Sequence, residues 1–290
     1  MKNNRLFYFL FLSITFPTYG QDSTFIKINE WFTENKFAIR QTFDGSKNEN
    51  KPASFTYQED HESPNDFLIV DIALKISELE LLKNSNAVLI FYPKIEWHKS
   101  TNETDKKNKL DGGINFEYYP LGLEKNAIVP WFQGTSSFKR NFIDEVYEKK
   151  LAFQLSLSGK KQFLPGSNIR DSKDNFRARY YPYVGIEYNH LPDLISKGVT
   201  EEFSAYFLRF FAETWILPQT LQFNLDATYR EILSTDTSLR KSLPILISSL
   251  YLYPGKQESF GIGFEYKYGY DNTAKFQLIQ ISSLKLSWKI

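Results

Sequence analysis

Three histidines, His61, His98 and His190, are the side chains of this sequence whose ordinary titration range lies near neutral pH. A histidine beside a serine is the minimum for a nucleophile in acyl transfer. His98 and Ser100 stand two residues apart, and on a strand that spacing puts both on one face. Asn102 follows closely. Such a pair at a strand end could cleave an ester. The plainer reading of His98 is an interfacial ring next to Trp97. His190 has Asp193 and Ser196 nearby, and His61 sits in a polar stretch unsuited to holding a catalytic geometry. Metal chemistry has less support. Glu96 shares a face with His98, and Asp60, His61 and Glu62 are adjacent, but neither group supplies three or four convergent ligands. The chain has no cysteine and no glycine-rich phosphate loop, so neither a metal nor a cofactor is expected. No convincing catalytic motif is present, and an enzyme is the alternative rather than the expectation.

A second group of chemical side chains recurs with a period of two. Arg177, Arg179 and Glu187 alternate with Phe176, Ala178, Tyr180, Val184 and Ile186. Asp226 and Arg230 alternate with Leu225, Ala227 and Tyr229. Glu265, Lys267 and Lys285 lie opposite Phe264, Tyr266, Tyr268, Leu284 and Leu286, and Arg209 and Glu213 join the same polar face. Successive strand residues point to opposite faces, so each run has an apolar wall and a charged one. Both signs occur on the charged face. They can interlock as ion pairs that close a narrow lumen, or line a passage that orients a polar solute. Gly261, Gly263 and Gly269 on that face leave room for bulky groups of the opposite wall, or relieve curvature.

The elements that carry these faces are strands. They are expected at about 36–43, 67–82, 87–98, 110–121, 127–138, 151–158, 176–189, 203–216, 219–231, 243–253, 258–271 and in the last residues through Ile290. Most are long enough to cross a bilayer at a tilt, which takes roughly 9–11 residues. Short connections near 83–86, 122–126, 217–219 and 254–257 alternate with longer ones near 44–66, 99–109, 139–148 and 190–201. The polar stretch 159–175 is long yet falls on the short-turn side. The first twenty residues read as an export signal, with Lys2 and Arg5 before the apolar run Leu6 to Phe16 and cleavage ahead of Gln21. Its removal leaves 33 basic against 34 acidic residues, a neutrality that argues against nucleic acid as a partner. The expected organisation is a signal at 1–20, an N-terminal segment at 21–35 and one strand-built domain at 36–290.

Together these features resemble a bacterial outer-membrane β-barrel. The likeness rests on the signal segment, the alternating strands with aromatic outer faces, and the final run Leu284, Leu286, Trp288 and Ile290. It departs in one respect: barrels of this class typically end in Phe or Trp, whereas here Trp288 stands two residues before Ile290. The resemblance implies an all-β fold, a single transmembrane antiparallel up-and-down barrel of about 12 strands, in the outer membrane of a Gram-negative bacterium. Implied partners are outer-membrane lipid, the barrel-assembly machinery and small polar solutes. The expected role is a passive narrow channel or a structural surface protein. The alternatives are a lipid-modifying hydrolase at the rim and a surface binding protein acting through 44–66.

Overall fold

The computed structural model describes residues 34, 36–46, 49, 51–58, 67–84, 87–101, 107–121, 128–143, 145–173, 175–192, 200–217, 220–233, 239–254, 260–271 and 276–288. The export signal, most of segment 21–35, His61 and the chain's last two residues lie outside them.

The strands are β1 (Ala38–Arg40), β2 (Ala53–Gln58), β3 (Phe67–Lys75), β4 (Leu79–Asn84), β5 (Ala87–Ser100), β6 (Lys107–Tyr119), β7 (Val129–Asn141) and β8 (Val146–Ser158). They continue as β9 (Ile169–Arg170), β10 (Phe176–Pro192), β11 (Thr200–Ile216), β12 (Leu221–Ile232), β13 (Ser242–Leu252), β14 (Phe260–Asp271) and β15 (Gln277–Trp288). Each long strand pairs antiparallel with its neighbours in sequence. Two further ladders close the ring: β3 pairs β5, and β15 pairs β2 between Lys285↔Thr56 and Trp288↔Ala53. The result is a closed up-and-down barrel of twelve staves, which leaves no edge in the ring. No helix among the described residues is long and apolar enough to cross a membrane.

Two staves are interrupted. β3 and β4 both lie along β5, separated by Ile76–Glu78, where Ser77 takes a positive φ of 63°. The expected single strand 67–82 is therefore broken, although the Ile76 amide still donates to the Pro93 carbonyl at 3.0 Å. The first stave is broken more deeply. β1 pairs with β3 through Arg40↔Ala73, and β2 resumes on the same edge through Ser54↔Asp71. The chain thus leaves the wall after Arg40 and re-enters it at Ala53. The Gln41 amide donates to the Lys51 carbonyl at 2.9 Å and ties the neck. The expected strand 36–43 and external loop 44–66 are both corrected: residues 53–58 are wall, and the described part of 41–52 lies inside the barrel.

Elsewhere the alternation holds. Ile114, Leu151, Phe153, Val184, Ile186, Leu208, Leu246, Leu250 and Leu284 are exposed on the outer face. Trp97, Tyr147, Tyr188, Tyr229 and Tyr268 ring one end, and Phe132, Phe176 and Phe223 the other. An apolar band between aromatic girdles is the outer surface of a membrane-spanning barrel. The connection 142–145 is shorter than the long segment expected at 139–148, because β7 and β8 run on to Asn141 and from Val146. The described part of segment 159–175 forms an excursion on the turn side. Its β9 pairs with β10, Gly166 donates to the Tyr180 carbonyl at 2.8 Å, and Tyr180 donates to the Phe163 carbonyl at 2.9 Å.

Candidate functional site

The inner face starts from ordinary strand alternation. Outward Val184 and Ile186 force Tyr183, Gly185 and Glu187 inward, and outward Leu208 and Phe210 force Phe207, Arg209 and Phe211 inward. The same logic turns Asn224, Asp226, Thr228 and Arg230 into the lumen, where they are buried. Water alone would hydrate such groups in a wide pore. Here they meet other protein groups instead.

Those groups come from the inward loop, residues 41–52, a compact segment whose ends meet in the manner of an Ω-loop. Residues 47, 48 and 50 of it lie outside the described residues. Its backbone is held by the wall. Phe43 donates its amide to Glu96 at 3.0 Å, and the carbonyls of Phe43, Asp44 and Gly45 accept from Asn115 at 2.8 Å, Gln154 at 3.1 Å and Gln133 at 2.8 Å. The Ser46 amide donates to the Tyr183 hydroxyl at 3.1 Å. The loop is therefore anchored from β5 round to β10. Buried backbone groups need such partners, and inward Asn and Gln side chains supply them.

Its side chains complete an ionic lock. Arg209 donates to both Glu49 oxygens, at 3.0 and 2.6 Å, and to both Asp226 oxygens, at 2.8 and 3.0 Å. Lys51 pairs with Asp226 and lies 3.6 Å from Glu49, whose carboxylate also accepts from Tyr183 at 2.5 Å. The guanidinium stacks 5.0 Å from the Tyr183 ring centroid. A planar five-donor cation suits two carboxylates and an aromatic face at once. Gly45 is required beside this lock, since a Cβ there would overlap the Glu49 carboxylate and the Arg209 guanidinium.

The loop separates two unlike compartments. Toward the turn end, Phe43 is 1 % exposed and packs with Tyr92, Tyr119, Trp131, Tyr181, Tyr183 and Phe211. Trp215, Tyr251 and Tyr253 form an adjoining cluster. Groups lining an open passage would retain contact with water; these do not. Toward the loop end lies a polar cavity of about 120 Å³. Gln41, Thr42, Asp44 and Lys51 form part of its wall, with Lys139, Lys150, Glu187 and Arg230 from the staves, and Phe207, Ile245 and Ile247 give it an apolar side.

The remaining charges predicted from sequence also occupy the lumen, in separate pairs. Arg179 donates to Glu213 at 2.9 Å, Arg230 to Glu187 at 3.1 Å, Lys285 pairs with Glu265 at 2.6 Å, and Lys267 pairs with Asp271. Arg177 lies over the Trp215 ring at 5.1 Å. Arg209 and Asp226 alone of that set join the loop's lock. Sequence reasoning missed Glu49 and Lys51, which it assigned to an external loop, and the lumen-facing Lys94, Lys139 and Lys150.

The glycines resolve differently from expectation. Gly261 and Gly263 seat the rings of Tyr253 and Tyr251 from the adjacent strand, not groups of the opposite wall, and Gly269 adopts a φ of 129°. A Cβ at Gly263 would strike the Tyr251 ring, whereas one at Gly112, on the outer face, would meet nothing within 4 Å. We expect Gly263→Val to lose about 1–3 kcal/mol by overpacking. Gly112→Val is expected to stay near neutral in the same urea-unfolding measurement in vesicles.

The histidine pair is not arranged for catalysis. His98 Nδ1 lies 2.8 Å from Asp71 Oδ1 and Nε2 3.3 Å from Glu96 Oε2. Both ring nitrogens engage carboxylates, leaving neither for Ser100, and both residues face the lumen rather than lipid. His190 bonds Glu202 at 2.8 Å, while Asp193 and Ser196 lie outside the described residues. No group of three or more candidate metal ligands converges among the described residues.

No protein-family model matches the sequence, and no curated protein matches it. Among solved structures the chain is similar to the NanC porin, at 9 % identity and a TM-score of 0.46, over 82 % of this chain and 98 % of that one. It is also similar to the β domain of the Bordetella autotransporter BrkA, at 11 % identity and a TM-score of 0.36, over 87 % and 97 % of the two chains. The closed ring, its apolar outer band and its polar interior identify the fold as an outer-membrane-type β-barrel.

Proposed function

We propose that this chain spans a bacterial outer membrane as a gated barrel, shut at rest by residues 41–52 and passing small polar solutes only when that loop leaves the lumen. One observation carries the reading: a segment of the first stave departs from the wall, crosses the lumen and is fastened there by Glu49, Lys51, Arg209 and Asp226. A passive pore would not need the device. Outer-membrane lipid contacts the apolar band, and insertion calls on the barrel-assembly machinery. The cavity holds the solute. Nothing in the charge pattern favours nucleic acid.

Planar-bilayer recording tests this. Purified wild-type protein is expected to show no sustained openings, and a variant with residues 42–51 replaced by two glycines is expected to conduct steadily. A shift in gel mobility on boiling confirms that the shortened barrel has folded. Steady wild-type conductance equal to that of the shortened variant would remove the proposal.

A further inference from the structure

The loop's ties to the wall are not equally tight. Glu49 and Lys51 sit in close, largely buried pairs with Arg209 and Asp226. Asp44 does not. Its carboxylate lies 3.7 Å from Lys94 and 3.7 Å from Lys150, and 37 % of its side chain is exposed, toward the cavity. Behind it Lys94 is 1 % exposed, donates to Glu96 at 2.7 Å and does not line the cavity. Lys150 is a further 3.9 Å from Glu187, and Lys139 is 3.6 Å from Asp111. Lys139 and Lys150 thus have only long ion pairs, while both line the cavity together with Asp44. Ammonium groups make their strong charge-assisted bonds at about 2.7–2.9 Å. This cluster of cations therefore holds its internal carboxylate at less than full grip.

A carboxylate loosely seated among lysines, at the edge of a cavity, has the chemistry of a stand-in. We propose that Lys139 and Lys150 form a binding site for a small organic carboxylate entering from the loop end, and that Asp44 occupies the Lys150 side of it while the barrel is shut. An incoming carboxylate competes with Asp44 for Lys150 and meets Lys139 beside it, because both lysines face the cavity. Phe207, Ile245 and Ile247 admit a short apolar body, and the carboxylates Asp71, Glu96, Glu187, Asp226 and Asp271 that also line the cavity disfavour a second negative charge. Binding removes the wall's hold on the loop near Asp44, so the ligand favours the open state by binding it better. The inference rests on the gated reading above for its consequence, though not for the binding itself.

The test uses the full chain in detergent, with butyrate as the probe and butyramide as its neutral counterpart, followed by calorimetry. Asp44→Asn removes the internal competitor and is expected to bind butyrate at least 10-fold more tightly than wild type. Adding Lys150→Met or Lys139→Met to Asp44→Asn is expected to abolish that gain, with the boiling-dependent gel shift reporting intact barrels. Butyramide is expected not to bind. Equal butyrate affinity in wild type and Asp44→Asn would overturn the proposal, as would affinity indifferent to both lysines or equal for butyramide. Tighter inorganic phosphate or chloride than butyrate would overturn the carboxylate assignment. Bilayer recording separates the two readings. A shut wild type that opens on loop removal, combined with no butyrate binding, leaves the gate standing and removes this site. Butyrate binding by a constantly conducting wild type does the reverse.

Discussion

Replacing Arg209 with methionine is expected to open the barrel. The guanidinium is the common partner of Glu49 on the loop and Asp226 on β12, through four hydrogen bonds of 2.6–3.0 Å. Without it two buried carboxylates face each other with Lys51 as the remaining nearby cation. Removing one partner of a buried ion pair typically costs about 3–5 kcal/mol, because the stranded charge keeps its desolvation penalty. The wall is a continuous ladder and does not depend on Arg209 for its hydrogen bonds. Glu49 does, so the molecule relieves the stranded charge by releasing Glu49 to water. Conductance near that of the loop-shortened variant is the expected result, with the barrel's gel shift retained. Arg209→Lys is expected to recover little, since one ammonium cannot reproduce the paired geometry toward two carboxylates. Glu49→Gln in the Arg209→Met background is expected to restore part of the closed state by removing one of the two stranded charges. Wild-type stability and silence in Arg209→Met would show that the lock holds nothing.

That lock marks the boundary of what the sequence could show. The wall was readable because strand alternation is local: Phe176 to Asn189 declares two faces without reference to any other residue. Lumen charges such as Arg179, Glu213 and Lys285 follow from the same period. The path of 41–52 does not. Asp44, Gly45, Ser46, Lys47, Asn48, Glu49, Asn50, Lys51 and Pro52 have the composition of a solvated loop. What turns the described ones inward is a set of partners far along the chain, Arg209 and Asp226 above all. One local sign was present: Ser54, Phe55, Thr56 and Tyr57 resume the alternation, which moves the wall back to residue 53. The His98–Ser100 spacing misled for the complementary reason. It correctly predicted a shared face, but which groups meet the imidazole depends on Asp71 of the neighbouring strand.

A single charge on the outer band distinguishes a wall in lipid from a wall in water. Val184 is the middle residue of β10, exposed on the outer face and flanked across the ladders by Leu155 and Leu208. In a soluble protein an exposed Val→Arg substitution of this kind usually changes stability by no more than about 0.5 kcal/mol. At a bilayer midplane the same change costs about 2–4 kcal/mol on a barrel's lipid face, falling toward zero near the interfaces. We therefore expect Val184→Arg to lower the urea-unfolding free energy in vesicles by about 2–4 kcal/mol, and Tyr188→Arg, closer to the loop-end girdle, to cost less than half as much. Both substitutions add the same charge to the same strand, so strand propensity and net charge are nearly matched. Depth is the difference between them. Equal and small effects at the two positions would mean that the apolar band meets water or another protein, and the membrane-spanning reading would fall with them.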